Sequence, residues 1–146
     1  IGPPKISKKI LTTKSILEKK VDEKYILSKK ILKTILKHGS GGYYSKSEID
    51  LEIARPLTRT MVKMHRANQD NYYSNKFLLG EKKLKWIRKL TPLEALRLQG
   101  FPDKIYYKAK DASLSDAQMY MQAGNSVTVN VVKAILDHLI KHDWFK

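Results

Sequence analysis

The chain has 146 residues, of which 42% are hydrophobic, so it is long enough for about one domain with its own core. It contains no cysteine, which excludes disulfides, thiolate metal sites and a cysteine nucleophile within these residues. No apolar run approaches the ~18 residues of a membrane span, and the first residues lack the apolar core of a signal peptide. Ile1 in place of an initiating Met suggests a processed or incomplete start.

The formal net charge is +15, and it is unevenly placed. Residues 1–90 carry 22 Lys and Arg against 8 Asp and Glu, whereas residues 91–146 carry 7 against 6. This surplus predicts salt-sensitive contact with a phosphate backbone. The alternatives are a solvated basic surface and a basic helix on a membrane surface, and the second is weaker because the predicted basic helices are short.

The first 38 residues are predicted to form two helices. Ser15 and Glu18 have the spacing of a capping box, which begins the first helix. Ser28 is placed to cap the second helix, and Gly39 is expected to end it. Residues 39–42, Gly-Ser-Gly-Gly, predict a flexible connection. The second helix is amphipathic, and its apolar face is formed by Ile31, Leu32, Ile35 and Leu36.

The middle of the chain is predicted to contain two strands separated by a loop. The strict alternation of residues 48–53 is typical of a half-buried strand, which Pro56 ends or kinks. Residues 63–76 are polar, rich in Asn and without periodicity, so we expect an exposed loop. Residues 84–90 predict the second strand, one face of which carries Leu84, Trp86 and Arg88.

Three helices are predicted in the last third of the chain. Thr91 and Glu94 form a capping box, and Gly100 ends that short helix. A second helix runs from Ser115 until Gly124 stops it. The last helix covers about residues 128–142, and its apolar stripe is formed by Val129, Val132, Ile135, Leu136, Leu139 and Ile140.

The segment 54–79 concentrates side chains that can read DNA. In a major groove Arg pairs with guanine, and Asn or Gln pairs with adenine. Lys63, His65 and Tyr72 can add phosphate or sugar contacts, although each residue alone is more often a plain surface residue. The candidate DNA-binding residues are Arg55, Thr58, Arg59, Lys63, His65, Arg66, Asn68, Gln69 and Asn71.

Residues 124–127, Gly-Asn-Ser-Val, directly precede the last helix. Gly permits a positive φ, and Asn and Ser are good turn and cap residues, so this segment predicts a turn whose backbone donors suit an anion. On these residues alone, an ordinary loop is the alternative. His138 and His142 are spaced i, i+4, but no third ligand completes a metal site, and we interpret the pair as structural.

Two segments resemble conserved blocks of the cytosine-5 DNA methyltransferases. Residues 88–102, RKLTPLEALRLQGFP, resemble motif IX, and residues 122–135, QAGNSVTVNVVKAI, resemble motif X, in the order and separation of that family. Leu57-Thr58 matches a landmark of the family's recognition region. Residues 16–31 are similar to a stretch that follows motif VIII in many bacterial members.

The resemblance implies an α+β fold in two parts. Residues 1–115 would form a small target-recognition domain of short strands and helices, organised by the motif IX positions Arg88, Arg97, Gln99 and Gly100. Residues 116–146 would belong to a Rossmann-like catalytic domain, on which the last helix packs. An S-adenosylmethionine pocket would be lined in part by Asn125, Ser126 and Val127. Separately, Arg97 and Glu94 stand at helical spacing and predict an internal ion pair.

The chain departs from the family where the chemistry lies. It has no Pro-Cys nucleophile, no Phe-x-Gly-x-Gly loop, no Glu-Asn-Val block and no Gln-x-Arg-x-Arg block. We therefore expect it to be inactive alone and to require double-stranded DNA, a catalytic domain or subunit, and S-adenosylmethionine held with that domain. A DNA-associated location in a bacterial cytoplasm, with no membrane partner, follows from the resemblance.

Three hypotheses account for the missing blocks. The chain is a fragment of a longer restriction-modification methyltransferase, or it is a natural small subunit of one, or it is a stand-alone sequence-specific DNA-binding protein. An intact motif X argues against the third hypothesis, because a pure DNA binder has no use for a cofactor wall.

Overall fold

The computed structural model describes residues 12–40, 43–44, 46–61, 63, 65–66 and 68–142. Two short 3₁₀ turns, Thr13–Ser15 and Glu23–Tyr25, precede the first helix. The helices of the described residues are α1 (Lys29–Leu36), α2 (Asn75–Leu79), α3 (Pro92–Leu98), α4 (Asp103–Asp111), α5 (Asp116–Asn125) and α6 (Val129–Lys141). The strands are β1 (Gly39–Ser40), β2 (Tyr43–Tyr44), β3 (Tyr72–Ser74) and β4 (Ile87–Lys89). This mixture of helices and small sheets confirms the predicted class in its coarse form.

Two antiparallel ribbons supply the sheet structure. Strand β1 pairs with β2, and β3 pairs with β4 so that Tyr73 lies opposite Arg88. The β3–β4 ribbon is buried, and Leu27 extends it by donating its backbone N–H to the carbonyl of Ile87 at 2.9 Å. Through Leu27, the β3–β4 ribbon therefore joins the first third of the chain to the middle.

The core consists of three apolar clusters that draw on both ends of the chain. In one, Ile35 of α1 packs with Tyr72 and Ile87 of the ribbon. In another, four buried residues of α3 and α5 meet Tyr25; they are Ala95, Leu96, Tyr120 and Ala123. Helix α5 thus packs on elements that precede residue 115, while the predicted boundary at that residue stays a prediction.

Four predicted helix signals are confirmed. The Ser28 hydroxyl accepts the backbone N–H of Ile31 and begins α1. Complete capping boxes begin α3 at Thr91 and α5 at Ser115. Helix α6 lies within the predicted range of residues 128–142. These signals are local, and local hydrogen bonds satisfy the first amides of a helix wherever it packs.

The predicted helix at Ser15 is wrong. Only the 3₁₀ turn Thr13–Ser15 forms, and the Ser15 hydroxyl donates to the carbonyl of Thr12. The Glu18 carboxylate does not reach back to complete a capping box, because it accepts the Thr91 hydroxyl at 2.6 Å. The Glu18 carboxylate, on which the predicted capping box depended, is therefore used in a tertiary contact.

The predicted strand at residues 48–53 is also wrong. Asp50 has a φ of 61°, in the left-handed region, which breaks an extended run. Its carboxylate accepts both the backbone N–H and the hydroxyl of Ser74 at 2.6 Å, so this segment turns to hold the end of β3. The second predicted strand shortens to β4, and Leu84 at its predicted start is exposed.

Other boundaries differ from the predictions. Helix α1 ends at Leu36, so Gly39 does not end it and lies in β1. Of the flexible connection predicted at residues 39–42, residues 41–42 lie outside the described residues. The loop predicted over residues 63–76 contains β3 and the start of α2. Helix α5 continues through Gly124 to Asn125. Helix α4 was not predicted. Within the part of the chain that the structure describes, no helix is long and apolar enough to cross a membrane.

Candidate functional site

A buried ion pair anchors the segment 88–102. The guanidinium of Arg88 donates to both carboxylate oxygens of Glu94 at 2.8 and 2.6 Å, and both side chains are buried. Glu94 also accepts the backbone N–H of Glu18 at 2.6 Å, while Arg88 donates to the Glu18 carbonyl at 3.0 Å. Each buried charge is therefore paired and hydrogen-bonded, which is the condition under which such a pair is tolerated.

Arg97 does not pair with Glu94, so that prediction is wrong. Its Nε and Nη2 donate to the two carboxylate oxygens of Asp103 at 2.8 and 2.6 Å, which ties the end of α3 to the start of α4. The Arg97 hydrogen bonds hold the pKa of the Asp103 carboxyl below its usual range. A third bond runs from Arg97 to the Ile16 carbonyl. The bidentate geometry favours Asp103 over a neighbour on the same helix.

Gln99 joins α3 to the turn before α6. Its side-chain amide donates to the carbonyl of Ala123 at 2.8 Å, and its amide oxygen accepts the Thr128 hydroxyl at 2.8 Å. Its backbone carbonyl accepts the N–H of Val129 at 2.8 Å. One buried residue thus fixes both ends of the segment 124–128.

Gly124 lies directly against the start of the segment rich in candidate DNA-binding residues. A Cβ built on Gly124 would lie 2.5 Å from the carbonyl carbon and oxygen of Thr58 and from the backbone nitrogen of Arg59. No side chain fits at this distance, so glycine is required by close approach of backbone and not by a turn. Helix α5 therefore supports the Leu57-Thr58 pair.

These contacts surround an open cleft of about 530 Å³. Its walls come from four parts of the chain: residues 12–16, 52–57, 97–99 and 124–130. Segments singled out separately in the sequence therefore converge on one junction. Ser126 and Thr128 line this cleft, whereas Asn125 and Val127 do not.

The three candidate cofactor residues differ in their surroundings. The Ser126 hydroxyl donates to the carbonyl of Ala123 at 2.8 Å and so helps to end α5. Asn125 is exposed, and Val127 is 67% exposed. An accessible amide beside an accessible apolar side chain suits one wall of a pocket for a nucleoside-like cofactor. Because both side chains are exposed, the fit is that of a flank.

Two of the nine DNA-binding candidates are hydrogen-bonded to each other and to neighbouring groups within the chain. Asn71 is buried, and its amide accepts the backbone N–H of Arg55 at 2.9 Å while donating to the Arg55 carbonyl at 3.0 Å. The Arg55 guanidinium donates to Glu48 and to the carbonyl of Asp70. Because these groups are occupied within the chain, they clamp residues 55 and 71 together.

The segment between these clamped ends presents the other candidates; we call residues 58–70 the recognition loop. Asp70 closes it by accepting the Arg66 backbone N–H at 3.1 Å, and burial raises the pKa of the Asp70 carboxyl. Arg66 donates to the Thr60 hydroxyl at 2.7 Å and is half-buried, as is Thr58. The exposed candidates are Arg59, Lys63, His65, Asn68 and Gln69.

One long-range contact, made by Asp116, could not be predicted from the sequence around it. The Tyr25 hydroxyl donates to Asp116 at 2.7 Å, and Lys24 forms an ion pair with the same carboxylate at 2.7 Å. Burial opposes ionisation of Asp116, but these hydrogen bonds outweigh it and leave its pKa lowered. The partners are 91 residues apart, so only the fold reveals the contact.

The structure also locates the two C-terminal histidines. The rings of His138 and His142 lie 4.6 Å apart, between centroids. Among the residues that the structure describes, no three His, Cys, Asp or Glu side chains are grouped so that they could hold a metal ion.

The fold is one that solved methyltransferases contain. A methyltransferase of Entamoeba histolytica, EhMeth, superposes on 92% of this chain and 42% of its own with a TM-score of 0.69 at 20% identity. The S. pombe Dnmt2 methyltransferase superposes on 92% and 43%, also with a TM-score of 0.69, at 18% identity. At these identities the likeness concerns the fold.

The sequence carries the assignment further. Residues 3–141 match the family described as C-5 cytosine-specific DNA methylase, and the chain belongs to this family. It is 34% identical over 134 residues to the type II methyltransferase M1.ScrFI of Lactococcus lactis subsp. cremoris, and 35% identical over 135 residues to M.SsoII of Shigella sonnei. These alignments cover 87% and 86% of this chain but 31% of each relative.

A shorter stretch is more similar to phage enzymes. Over 54 residues the chain is 54% identical to the orphan methyltransferase M.SPBetaI of Bacillus phage SPbeta, which is 37% of this chain and 12% of that protein. The chain thus matches at most about a third of the length of these curated relatives.

Proposed function

We propose that this chain is the DNA-recognition and cofactor-flanking portion of an S-adenosylmethionine-dependent cytosine-5 DNA methyltransferase of the restriction-modification type. One observation carries the proposal. The recognition-region landmark at Thr58 packs on Gly124 of motif X, and Gln99 of motif IX holds the turn that follows. The segments that resemble the family's recognition and cofactor blocks are thereby one structural unit.

The recognition loop is suited to reading base edges. Arg59 and Gln69 are accessible and carry the donor and acceptor patterns that distinguish guanine and adenine in a major groove. The clamp between Arg55 and Asn71 fixes the ends of the loop, so little ordering is needed when it meets DNA.

The cofactor role falls to the segment between α5 and α6. S-adenosylmethionine, when bound with the catalytic part, supplies the methyl group. The exposed amide of Asn125 and the exposed side chain of Val127 would contact it, while the Ser126 hydroxyl holds the turn in place. This chain lacks a cysteine, so the nucleophile that attacks cytosine belongs to another part of the enzyme.

Helix α6 offers a surface for that other part. Its apolar side chains remain exposed, with Ile135 at 47% and Ile140 at 63%. No residue of α6 is buried in this chain. An exposed apolar stripe of this kind marks a protein-facing surface, and we assign it to the catalytic portion.

The test is reconstitution in trans. The 146-residue chain is mixed with a separately produced catalytic portion that carries the missing blocks, and transfer of a labelled methyl group to duplex DNA is followed. We expect activity only in the mixture. Methyl transfer by this chain alone would overturn the proposal, as would an inactive mixture whose two parts are shown to associate.

Variants separate the three roles. Ile135→Asp should abolish association, whereas Lys133→Ala, on the same helix, should not. Asn125→Ala should raise the S-adenosylmethionine concentration needed for half-maximal activity. Arg59→Ala should change the preferred site, since a good base contact is worth about 1–3 kcal/mol of discrimination.

The second candidate function is a stand-alone DNA-binding protein, which the basic surplus of residues 1–90 supports. It predicts that Arg59→Ala changes DNA binding, whereas Ile135→Asp and Asn125→Ala leave DNA binding unchanged.

A further inference from the structure

Helix α1 divides its residues sharply between two faces. Ile31, Leu32 and Ile35 pack against the cluster formed with Tyr72 and Ile87. At about 100° per residue, the lysines of this segment fall within an arc of roughly 100° on the opposite side. We call this surface the α1 lysine face; all four of its residues are exposed, and they are Lys29, Lys30, Lys33 and Lys37.

The lysines of this face are not neutralised within the described part of the chain. Other lysines there form ion pairs with carboxylates, as Lys24 does with Asp116 and Lys85 with Glu81. None of the ion pairs between described residues involves the α1 lysine face. Four like charges within little more than two helical turns repel one another, so covering the face with a polyanion lowers its free energy.

The apolar side of α1 decides which polyanion fits. A basic helix that binds a membrane inserts its apolar face into the boundary between headgroups and acyl chains. Here that face is already used, because Ile35 is 1% exposed and Ile31 and Leu32 pack on the ribbon. Of the apolar residues of α1 only Leu36 remains exposed, at 44%, so the accessible surface consists mainly of charged heads. A row of charges of this kind matches the backbone of a duplex.

Tyr72 connects α1 with the recognition loop. It belongs to the cluster on which α1 packs, and its ring lies 6.4 Å from that of His65 in the loop. It is also the first residue of β3, directly after the clamp residue Asn71. The α1 lysine face is therefore attached to the base of the loop through packed side chains.

We propose that the α1 lysine face is a second DNA-contacting surface, which binds phosphates of the duplex flanking the bases read by the recognition loop. The inference rests on the proposed DNA-recognition function and adds the residues that set affinity independently of sequence. Lys29 and Lys33 are about 6 Å apart along the helix, since four residues rise by this distance.

The experiment compares two charge-matched variants of the 146-residue chain. Lys29→Gln/Lys33→Gln removes two charges from the α1 lysine face. Lys104→Gln/Lys108→Gln removes two exposed charges from α4, where neither lysine forms an ion pair with a described carboxylate. Duplex affinity is measured across a salt series, with urea unfolding to verify that all three proteins are equally folded.

We expect the α1 variant to lose affinity equally for preferred and unrelated sequences. Its slope of log affinity against log salt should fall by about 1.8, because each phosphate contact contributes about 0.9. Its loss of affinity between about 50 and about 200 mM salt should then be about 12-fold smaller than that of the unaltered chain. The α4 variant should match the unaltered chain.

The other outcomes overturn the inference in distinguishable ways. Equal effects of the two variants would mean that net charge alone is responsible. An unaltered slope for the α1 variant, while Arg59→Ala still changes site preference, would remove the lysine face and leave the proposed function standing. If the α1 variant bound DNA as the unaltered chain does but bound anionic vesicles more weakly, the face would be assigned to a membrane. A salt-independent unaltered chain would contradict both proposals.

Discussion

Replacing Gly124 by alanine should destabilise the chain, although the same change at most helix positions is favourable. Glycine inside a helix is about 0.5–1 kcal/mol worse than alanine. At this position, however, the added Cβ would lie 2.5 Å from the backbone of Thr58 and Arg59, where ordinary contact begins at 3.4 Å. The backbone must therefore retreat by about 0.9 Å, which is the difference between those distances.

The magnitude follows from these opposing effects. Inserting a methyl group into a packed site costs about 1–3 kcal/mol. Because the added Cβ meets backbone, which cannot rotate away, we expect the upper part of this range, about 2–3 kcal/mol. After subtraction of a helix gain of about 1 kcal/mol, Gly124→Ala should lower the free energy of unfolding by about 1–2 kcal/mol. With a urea dependence of about 2 kcal/mol per molar, the unfolding midpoint should fall by about 0.5–1 M.

Urea unfolding of the 146-residue chain measures the effect. Gln122→Ala is the matched control, because it places alanine at an exposed position of the same helix and meets no backbone. We expect the control to stay within about 0.5 kcal/mol of the unaltered chain. If Gly124→Ala were as stable as the control, or more stable, the close contact between α5 and the start of the recognition loop would be refuted.

Other substitutions test the buried polar groups. Arg88→Ala leaves the Glu94 charge unpaired in the core and should cost about 3–5 kcal/mol in urea unfolding; a loss below about 1 kcal/mol would refute the buried pair. Tyr25→Phe removes the hydrogen bond to Asp116 and should cost about 0.5–1.5 kcal/mol, whereas no loss would place that hydroxyl in water. For Asp70, whose pKa is raised by burial, the folded state binds the proton more readily than the unfolded chain. The unfolding free energy of the unaltered chain minus that of Asp70→Asn should therefore decrease as the pH rises from about 4 through the raised pKa, and a constant difference would contradict it.

The parts of the fold that the sequence predicts are those fixed by neighbouring residues. The caps at Thr91 and Ser115 form because cap, first turn and partner lie within four residues. The Ser15 helix fails although its signal is equally good, because the Glu18 side chain bonds Thr91 across the molecule. The strand predicted from the alternation of residues 48–53 does not form for a similar reason, because the Asp50 carboxylate is hydrogen-bonded to Ser74 at the end of β3.

The candidate site shows the same division. Composition marks residues 54–79 as rich in polar donors, but it cannot separate an exposed Gln69 from a buried Asn71. That difference depends on Arg55, which lies 16 residues away and presents its backbone to the Asn71 amide. The pairing of Arg97 with Asp103 is likewise decided by the angle between α3 and α4, which spacing along one helix does not reveal.

The clamp between Arg55 and Asn71 bears on how the proposed DNA-sequence specificity could be exchanged. Its hydrogen bonds hold the two ends of the intervening stretch together without using any side chain of that stretch; the backbone carbonyl of Asp70 is the one group from it that takes part in these bonds. Doubling the length of a closed loop costs only about 0.6 kcal/mol in chain entropy. A foreign sequence spliced between residues 59 and 69 should therefore be accepted by the same frame, provided that the backbone at Thr58 still seats on Gly124. Under the proposed function, new target sites would arise by replacement of a short insert, while α5 and α6 remain as they are.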